Sequence, residues 1–178
     1  MRKKLKFEIT IISVLLIFAV SNLYTATFDA WGYNAEDGDS VVVVFNNKKL
    51  HIELGGIDCP ELEQDFGEEA KAFTKSFIYK KKVTVEILNY DEQDRIIGRI
   101  SLSGTDLSLA LIEEGLAWYN KKNGSDKTLS KAQKKAKKAK IGLWKQAKPT
   151  PPWTFRDTQE KVKKSKEGAE ERSATAAD

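Results

Sequence analysis

Apolar and polar positions change their period several times along the chain, and each change marks an element. From Ser40 the run SVVVVF is short and β-branched, NNKK supplies turn residues, and LHIELGGI alternates towards a glycine pair. Together they predict a β-hairpin. GEEAKAFTKSFIYKKK then places Ala70, Phe73, Phe77 and Ile78 at helical spacing, with Glu68 and Glu69 in the first turn and lysines in the last. Both ends suit the helix dipole. VTVEILNY alternates with period two, and RIIGRISL follows the polar DEQD, predicting two further strands. In DLSLALIEEG, Leu107, Ala110 and Leu111 share a helical face, Asp106 or Thr105 can cap it, and Gly115 stands where it should stop. LAWYN reads as a fifth strand. TLSKAQKKAKKAKIGLW carries a thin apolar stripe of Leu129, Ala132, Ala136 and Ala139, with Thr128 as cap, Gly142 as stop and Trp144 closing the core. KPTPPWTFR is extended by its prolines.

This pattern describes one α+β domain, mainly β, over residues 27–156, with appendages at both ends. From Asp157 to Asp178 the chain has six acidic and five basic residues and Val162 as its one large apolar side chain, a composition that predicts a disordered tail. At the other end, Arg2, Lys3, Lys4 and Lys6 precede the uncharged stretch from Ile9 to Thr27, whose centre is ITIISVLLIFAV. A basic flank followed by an apolar run reads as a secretory signal peptide over residues 1–26, with cleavage sites at Ala19-x-Ser21 and Ala26. The stretch is also close to the shortest spanning helix, so membrane attachment through residues 5–26 is the other reading. Either way the protein is expected outside the cytoplasm, secreted, periplasmic or anchored facing outwards.

Charge matters less than the total of +4 suggests. Residues 1–26 hold four basic residues and one acidic residue; without them 26 basic residues face 25 acidic ones, a net of +1. A polyanionic partner must therefore be recognised through the distribution of charge. A single cysteine excludes an internal disulfide, leaving stability to the core, and a monomer is expected.

Candidate chemistry lies in two acidic motifs, DGDS opening the hairpin and IDCPE closing it, which the hairpin should bring to one end of the sheet. Hard oxygen donors from two loops suit a calcium-type ion, although DGD is also ordinary turn chemistry. Pro60 marks where the strand leaves the sheet and presents Glu61 from a rigid turn. Between Lys121 and Lys145 ten lysines face only Asp126. Lys134 and Lys138 on that helix are candidates for backbone phosphates, and a solvated helix face explains the same run equally well. His51 and Trp118 read as packing residues, and Trp153 and Phe155, which could stack a base, read rather as packing the tail on the barrel.

The motifs DGDS, GGIDCPE, FGEEAKAFT, DEQDR, GLAW, GLW and PPWTFR, in this order from about Asp37 to Arg156, resemble the staphylococcal nuclease-like, or thermonuclease, family. The resemblance implies a five-stranded OB-like barrel with three α-helices and a calcium-dependent phosphodiesterase (endonuclease) acting on DNA, RNA or both. It makes Asp39 and Asp58 the calcium carboxylates, Cys59 a backbone-carbonyl ligand and Glu61 the general base for the attacking water. Arg95 aligns with one of the family's two phosphate-binding arginines. Arg99 could take that role with one insertion, or Lys48 or Lys49 could reach in. At the position of the other arginine stands Glu53. It is either a solvated strand residue or the mark of a slow, altered or silent enzyme, in the last case an OB-like nucleic-acid-binding module.

Overall fold

The structure, a computed structural model, describes residues 26–121 and 125–175, so the signal or anchor expected over residues 1–26 lies, but for Ala26, outside the described residues. Its first strand, β1 (Thr27–Ala35), is one the hydrophobic pattern did not signal. The reason is an inverted alternation. Trp31 and Tyr33 face solvent, 57% and 47% exposed, while the inward positions are the small residues Ala30, Gly32 and Ala35. The hairpin follows as expected, β2 (Ser40–Phe45) pairing antiparallel with β3 (Lys48–Leu54). Asn46 and Asn47 make the turn with φ of 47° and 60°, left-handed angles that asparagine tolerates and a two-residue hairpin requires. A short strand β4 (Ile57–Asp58) leads to helix α1 (Gly67–Ile78). Strands β5 (Lys82–Tyr90), β6 (Ile96–Leu102) and β7 (Thr105–Asp106) and helix α2 (Leu107–Glu113), capped by Asp106, come next.

The sheet runs β3-β2-β1-β5-β6-β7 and closes through a parallel pairing of β3 with β6, Ile52 opposite Ile96, Glu53 opposite Ile97 and Leu54 opposite Gly98. Five strands, β1, β2, β3, β5 and β6, therefore form a closed mixed barrel, the OB-like, mainly β architecture that the resemblance implied. LAWYN does not supply the fifth barrel strand. Only Trp118–Tyr119 is extended (β8), and it pairs with β4 outside the barrel, Ile57 with Tyr119 and Asp58 with Trp118.

Helix α3 (Lys127–Ala139) starts one residue earlier than its predicted cap, because Asp126 accepts hydrogen bonds from the N–H groups of Thr128 (2.7 Å) and Leu129 (3.2 Å). Gly142–Lys145 is a short 3₁₀ turn that buries Leu143 and Trp144. Beyond it the structure differs from the expectation of an extended segment and a disordered tail, because Pro152–Thr175 is a helix, α4, a fourth beside the three expected. Proline at a first helical position costs nothing, since its missing N–H would have no helical partner. Further along, Lys164 pairs with Glu160 and Lys163 with Glu167 at four-residue spacing, which supports an exposed helix without a core.

Inward residues of the barrel, Val41, Val43, Ile52, Val83, Val85 and Ile100, pack with Leu107, Leu111 and Ile112 of α2 and Ile78 of α1 in one core. The end of α1 docks on β1 at Gly32, where a β-carbon would lie 2.0 Å from the Ile78 carbonyl oxygen. Two backbone bonds of 2.9 Å, Gly32 N–H to Lys81 and Lys80 N–H to Gly32, fix that approach. Ile100 is fully buried at the centre of this core. Replacing it with alanine should cost about 2–5 kcal/mol of unfolding free energy in a urea titration; a loss below about 1 kcal/mol would place the centre of the core elsewhere.

Candidate active site

Two loops build the site and are bonded to each other. Between β1 and β2, Asp37 Oδ1 accepts from the N–H groups of Asp39 (3.0 Å) and Ser40 (2.6 Å), an Asx turn that sets the direction of Asp39. Asp39 Oδ2 accepts from the Cys59 N–H across the sheet (3.2 Å), and its backbone carbonyl accepts from the Leu54 N–H (2.8 Å). Gly38 is required here, since a β-carbon would stand 2.5 Å and 2.7 Å from Cys59 Cβ and Sγ. The second loop leaves β4, whose pairing with β8 holds Asp58, and Asn120 Nδ2 donates to Asp58 Oδ2 (3.3 Å). After Pro60, the Glu61 N–H donates to the Gln64 side chain (3.0 Å), fixing the turn that carries Glu61.

Asp39, Asp58, Cys59, Glu61 and Arg95 all line one open cleft of about 690 Å³, together with Glu53 and Arg156. Its lining holds seven carboxylates, Asp37, Asp39, Glu53, Asp58, Glu61, Asp91 and Glu92, against two guanidiniums, Arg95 and Arg156. Burial, reinforced by Asp37 and Asp58, pushes the carboxyl of partly buried Asp39 well above the usual carboxylate range. Such a group calls for a cation. Burial and the same carboxylates push the Cys59 thiol up as well, so the side chain is a neutral packing group and only its backbone is available to a ligand. Among the described residues no three His, Cys, Asp or Glu side chains gather as a ready cage. Asp39 and Asp58 line that one cleft, and their oxygens are donors of the kind a hard divalent ion takes.

Glu53 is neither solvated nor idle. Its Oε2 accepts from Ser40 Oγ (2.9 Å) and its Oε1 from Arg95 Nη1 (3.0 Å), and burial raises its carboxyl in spite of both partners. Arg95 is held from the other side by Asp91, which accepts from its Nε (2.6 Å) and its backbone N–H (2.8 Å). Arg99 is elsewhere, bound to Asp106 (2.8 Å), Glu86 (3.4 Å) and Asp126 (3.3 Å), and it does not line the cleft. Lys49 covers the Tyr33 ring at 4.1 Å, and neither it nor Lys48 lines the cleft. Lys134 and Lys138 are exposed on α3 and are likewise not among the lining residues. His51 is a surface residue paired with Glu36 (3.1 Å), not a packing residue. Trp118 does pack, edge-on against Trp144 (4.4 Å) and Trp153 (5.7 Å).

Sequence reasoning missed Arg156. From the first turn of α4 its Nη1 donates to Asp58 Oδ1 (3.1 Å) and Glu61 Oε1 (2.5 Å), and its Nη2 to Asp58 Oδ2 (2.8 Å). These bonds, Asp58 first, raise its pKa further. Its only trace in the sequence is its place at the end of PPWTFR, the motif whose prolines argued for an extended segment.

The closed OB-like barrel, an architecture that elsewhere binds oligonucleotides and oligosaccharides, here gathers carboxylates and guanidiniums from its loops in one open polar cleft. The family model described as staphylococcal nuclease homologue matches residues 51–146, more than half of the chain, and the chain belongs to that family. Among its relatives, an uncharacterized endonuclease of Escherichia coli is 35% identical over 121 residues, covering 67% of this chain and 79% of the relative. One of Haemophilus influenzae is 29% identical over 157 residues, 87% of this chain and 88% of the relative. A staphylococcal-like nuclease of Arabidopsis thaliana is 30% identical over 109 residues, 61% of this chain and 34% of the relative.

The strained charge of Asp39 has a measurable consequence. A carboxyl with a raised pKa binds more protons folded than unfolded, so stability falls as pH rises above its ordinary value of 3.8. Asp39→Asn removes that loss. At pH 7 with a chelator the variant should unfold at higher urea than the parent; a lower midpoint would mean that the Asp39 charge is stabilised by its surroundings.

Proposed function

We propose that this chain is a calcium-dependent phosphodiesterase that cleaves DNA, RNA or both. Asp39, Asp58 and the Cys59 carbonyl would hold the ion, which when bound supplies positive charge against a phosphate. Glu61, presented beside Asp58 from the Pro60 turn, takes the proton of the attacking water. Arg95 faces the same cleft and meets the charge that builds on the phosphate oxygens, its guanidinium oriented by Asp91 and Glu53. The observation that carries this reading is the convergence of both aspartates, the glutamate and the arginines on one cleft. Its charge balance supports the need for an ion, since seven carboxylates repel a polyanion that two guanidiniums alone must attract.

The test is cleavage of single-stranded DNA by the full-length chain in calcium and in a chelator. Cleavage should require calcium and fall by roughly 10²- to 10⁴-fold in Glu61→Gln. Binding without cleavage would favour the second reading, a nucleic-acid-binding module. One observation speaks for that module: Arg95 is shared between two carboxylates, one of them Glu53.

We infer also that residues 1–26 direct export. Intact mass of the exported protein distinguishes the two forms, loss of the segment for a cleaved signal and full length in the membrane fraction for an anchor; a full-length cytoplasmic species would overturn export.

A further inference from the structure

Arg156 is covalently remote from the rest of the cleft and is nonetheless bonded to two of its carboxylates. It forks onto both oxygens of Asp58, whose side chain is only 9% exposed, and reaches Glu61 with the same Nη1. The arm that delivers it is fixed to the domain. Pro152 is buried, Trp153 stands against Trp118 at 5.7 Å, and Gln64 Nε2 donates to the Thr150 carbonyl at 3.1 Å.

Two consequences follow from that placement. An ion held by Asp58 needs oxygens that Arg156 now occupies, so the two cations compete for one carboxylate. A phosphate attacked by water that Glu61 has deprotonated must also lie within a few ångströms of Glu61, and Arg156 is already within hydrogen-bond distance of Glu61. Released from Asp58, its fork is in place for two phosphate oxygens, the geometry that guanidinium matches and ammonium does not. Arg95, the other guanidinium of the cleft, is shared in this structure between Asp91 and Glu53. We propose that Arg156 is a substrate-contacting catalytic arginine, resting on Asp58 and Glu61 in the ion-free protein and forking onto the scissile phosphate once a divalent ion holds Asp58. The proposal rests on the phosphodiesterase reading of the same cleft.

Two measurements on the full-length chain test it: calcium binding by calorimetry without nucleic acid, and steady-state cleavage of single-stranded DNA at saturating calcium chloride. In Arg156→Met, calcium should bind severalfold more tightly because Asp58 has lost its competitor. The kcat should nevertheless fall on the order of 10²-fold with KM little changed, the signature of a contact made in the transition state. Arg156→Lys keeps the charge without the fork and should recover only part of the rate. Guanidinium ion added to Arg156→Ala should restore activity where it does nothing for the parent. A methionine variant as fast as the parent, or faster, would overturn the assignment and make Arg156 a plug that the ion displaces. Should the methionine variant not fold, parent-like kcat in Arg156→Lys overturns the forked contact in its place. Failure of the parent itself to cleave in calcium overturns the phosphodiesterase reading instead.

Discussion

The parallel pairing of β3 with β6 is the contact on which the rest of the structure depends. It joins two strands that are not neighbours in the sheet order and closes the sheet into a barrel, leaving only the two-residue β7 at an edge. Closure buries Ile52 and Leu54 from one side and Ile100 from the other around α2. It also brings Glu53 beside Arg95, residues 42 positions apart, because Glu53 lies opposite Ile97 and Arg95 immediately precedes β6. The same contact thus completes the core and one wall of the cleft.

That wall concentrates negative charge where a polyanion would have to bind. Packing so many carboxylates together costs stability, and Asp39 shows it, its carboxyl raised by burial and by Asp37 and Asp58. The protein offsets part of this cost with its two guanidiniums, each spread over two carboxylates: Arg95 over Asp91 and Glu53, Arg156 over Asp58 and Glu61. Asp39 has no such partner among the ion pairs of the described residues; it accepts the Cys59 N–H. The deficit is therefore centred on the aspartate that the family resemblance assigns to calcium.

Much of this was legible from residues whose local physics is unambiguous. The asparagine turn at 46–47, the β-branched run at 41–44, the amphipathic spacing from Ala70 to Ile78 and the Asp106 cap each specify their element without help from the rest of the chain. What escaped depended on distant partners. β1 puts Trp31 and Tyr33 outside and its small residues inside, a pattern that makes sense only once the end of α1 is seen lying on Gly32. Trp118–Tyr119 has strand-like residues, yet its partner is the two-residue β4, so it positions Asp58 without joining the barrel. Arg95 and Arg99 are four residues apart, and an ungapped alignment already favours Arg95; the fold adds what alignment does not hold, Arg95 at the cleft and Arg99 bound to Glu86, Asp106 and Asp126.

Arg156 was the least legible of all, and the reason lies in how α4 is held. The first turn of this helix is docked through aromatic contacts, Trp153 on Trp118 and Trp118 on Trp144, with Lys137 of α3 over the Trp118 and Trp144 rings at 5.0 Å and 4.2 Å. Past that turn the described side chains are exposed and the ion pairs are internal to the helix. Composition read over the whole segment is dominated by the exposed part and points to disorder, while the few residues that matter are fixed by tryptophans contributed from two other places in the chain. Asp58 joins these constraints. Its backbone pairs with Trp118 through β4 and β8, and its carboxylate accepts the fork of Arg156. The strand that holds the acid therefore also holds the indole against which the arginine's own helix is packed, so the charge pair and the aromatic stack position one another.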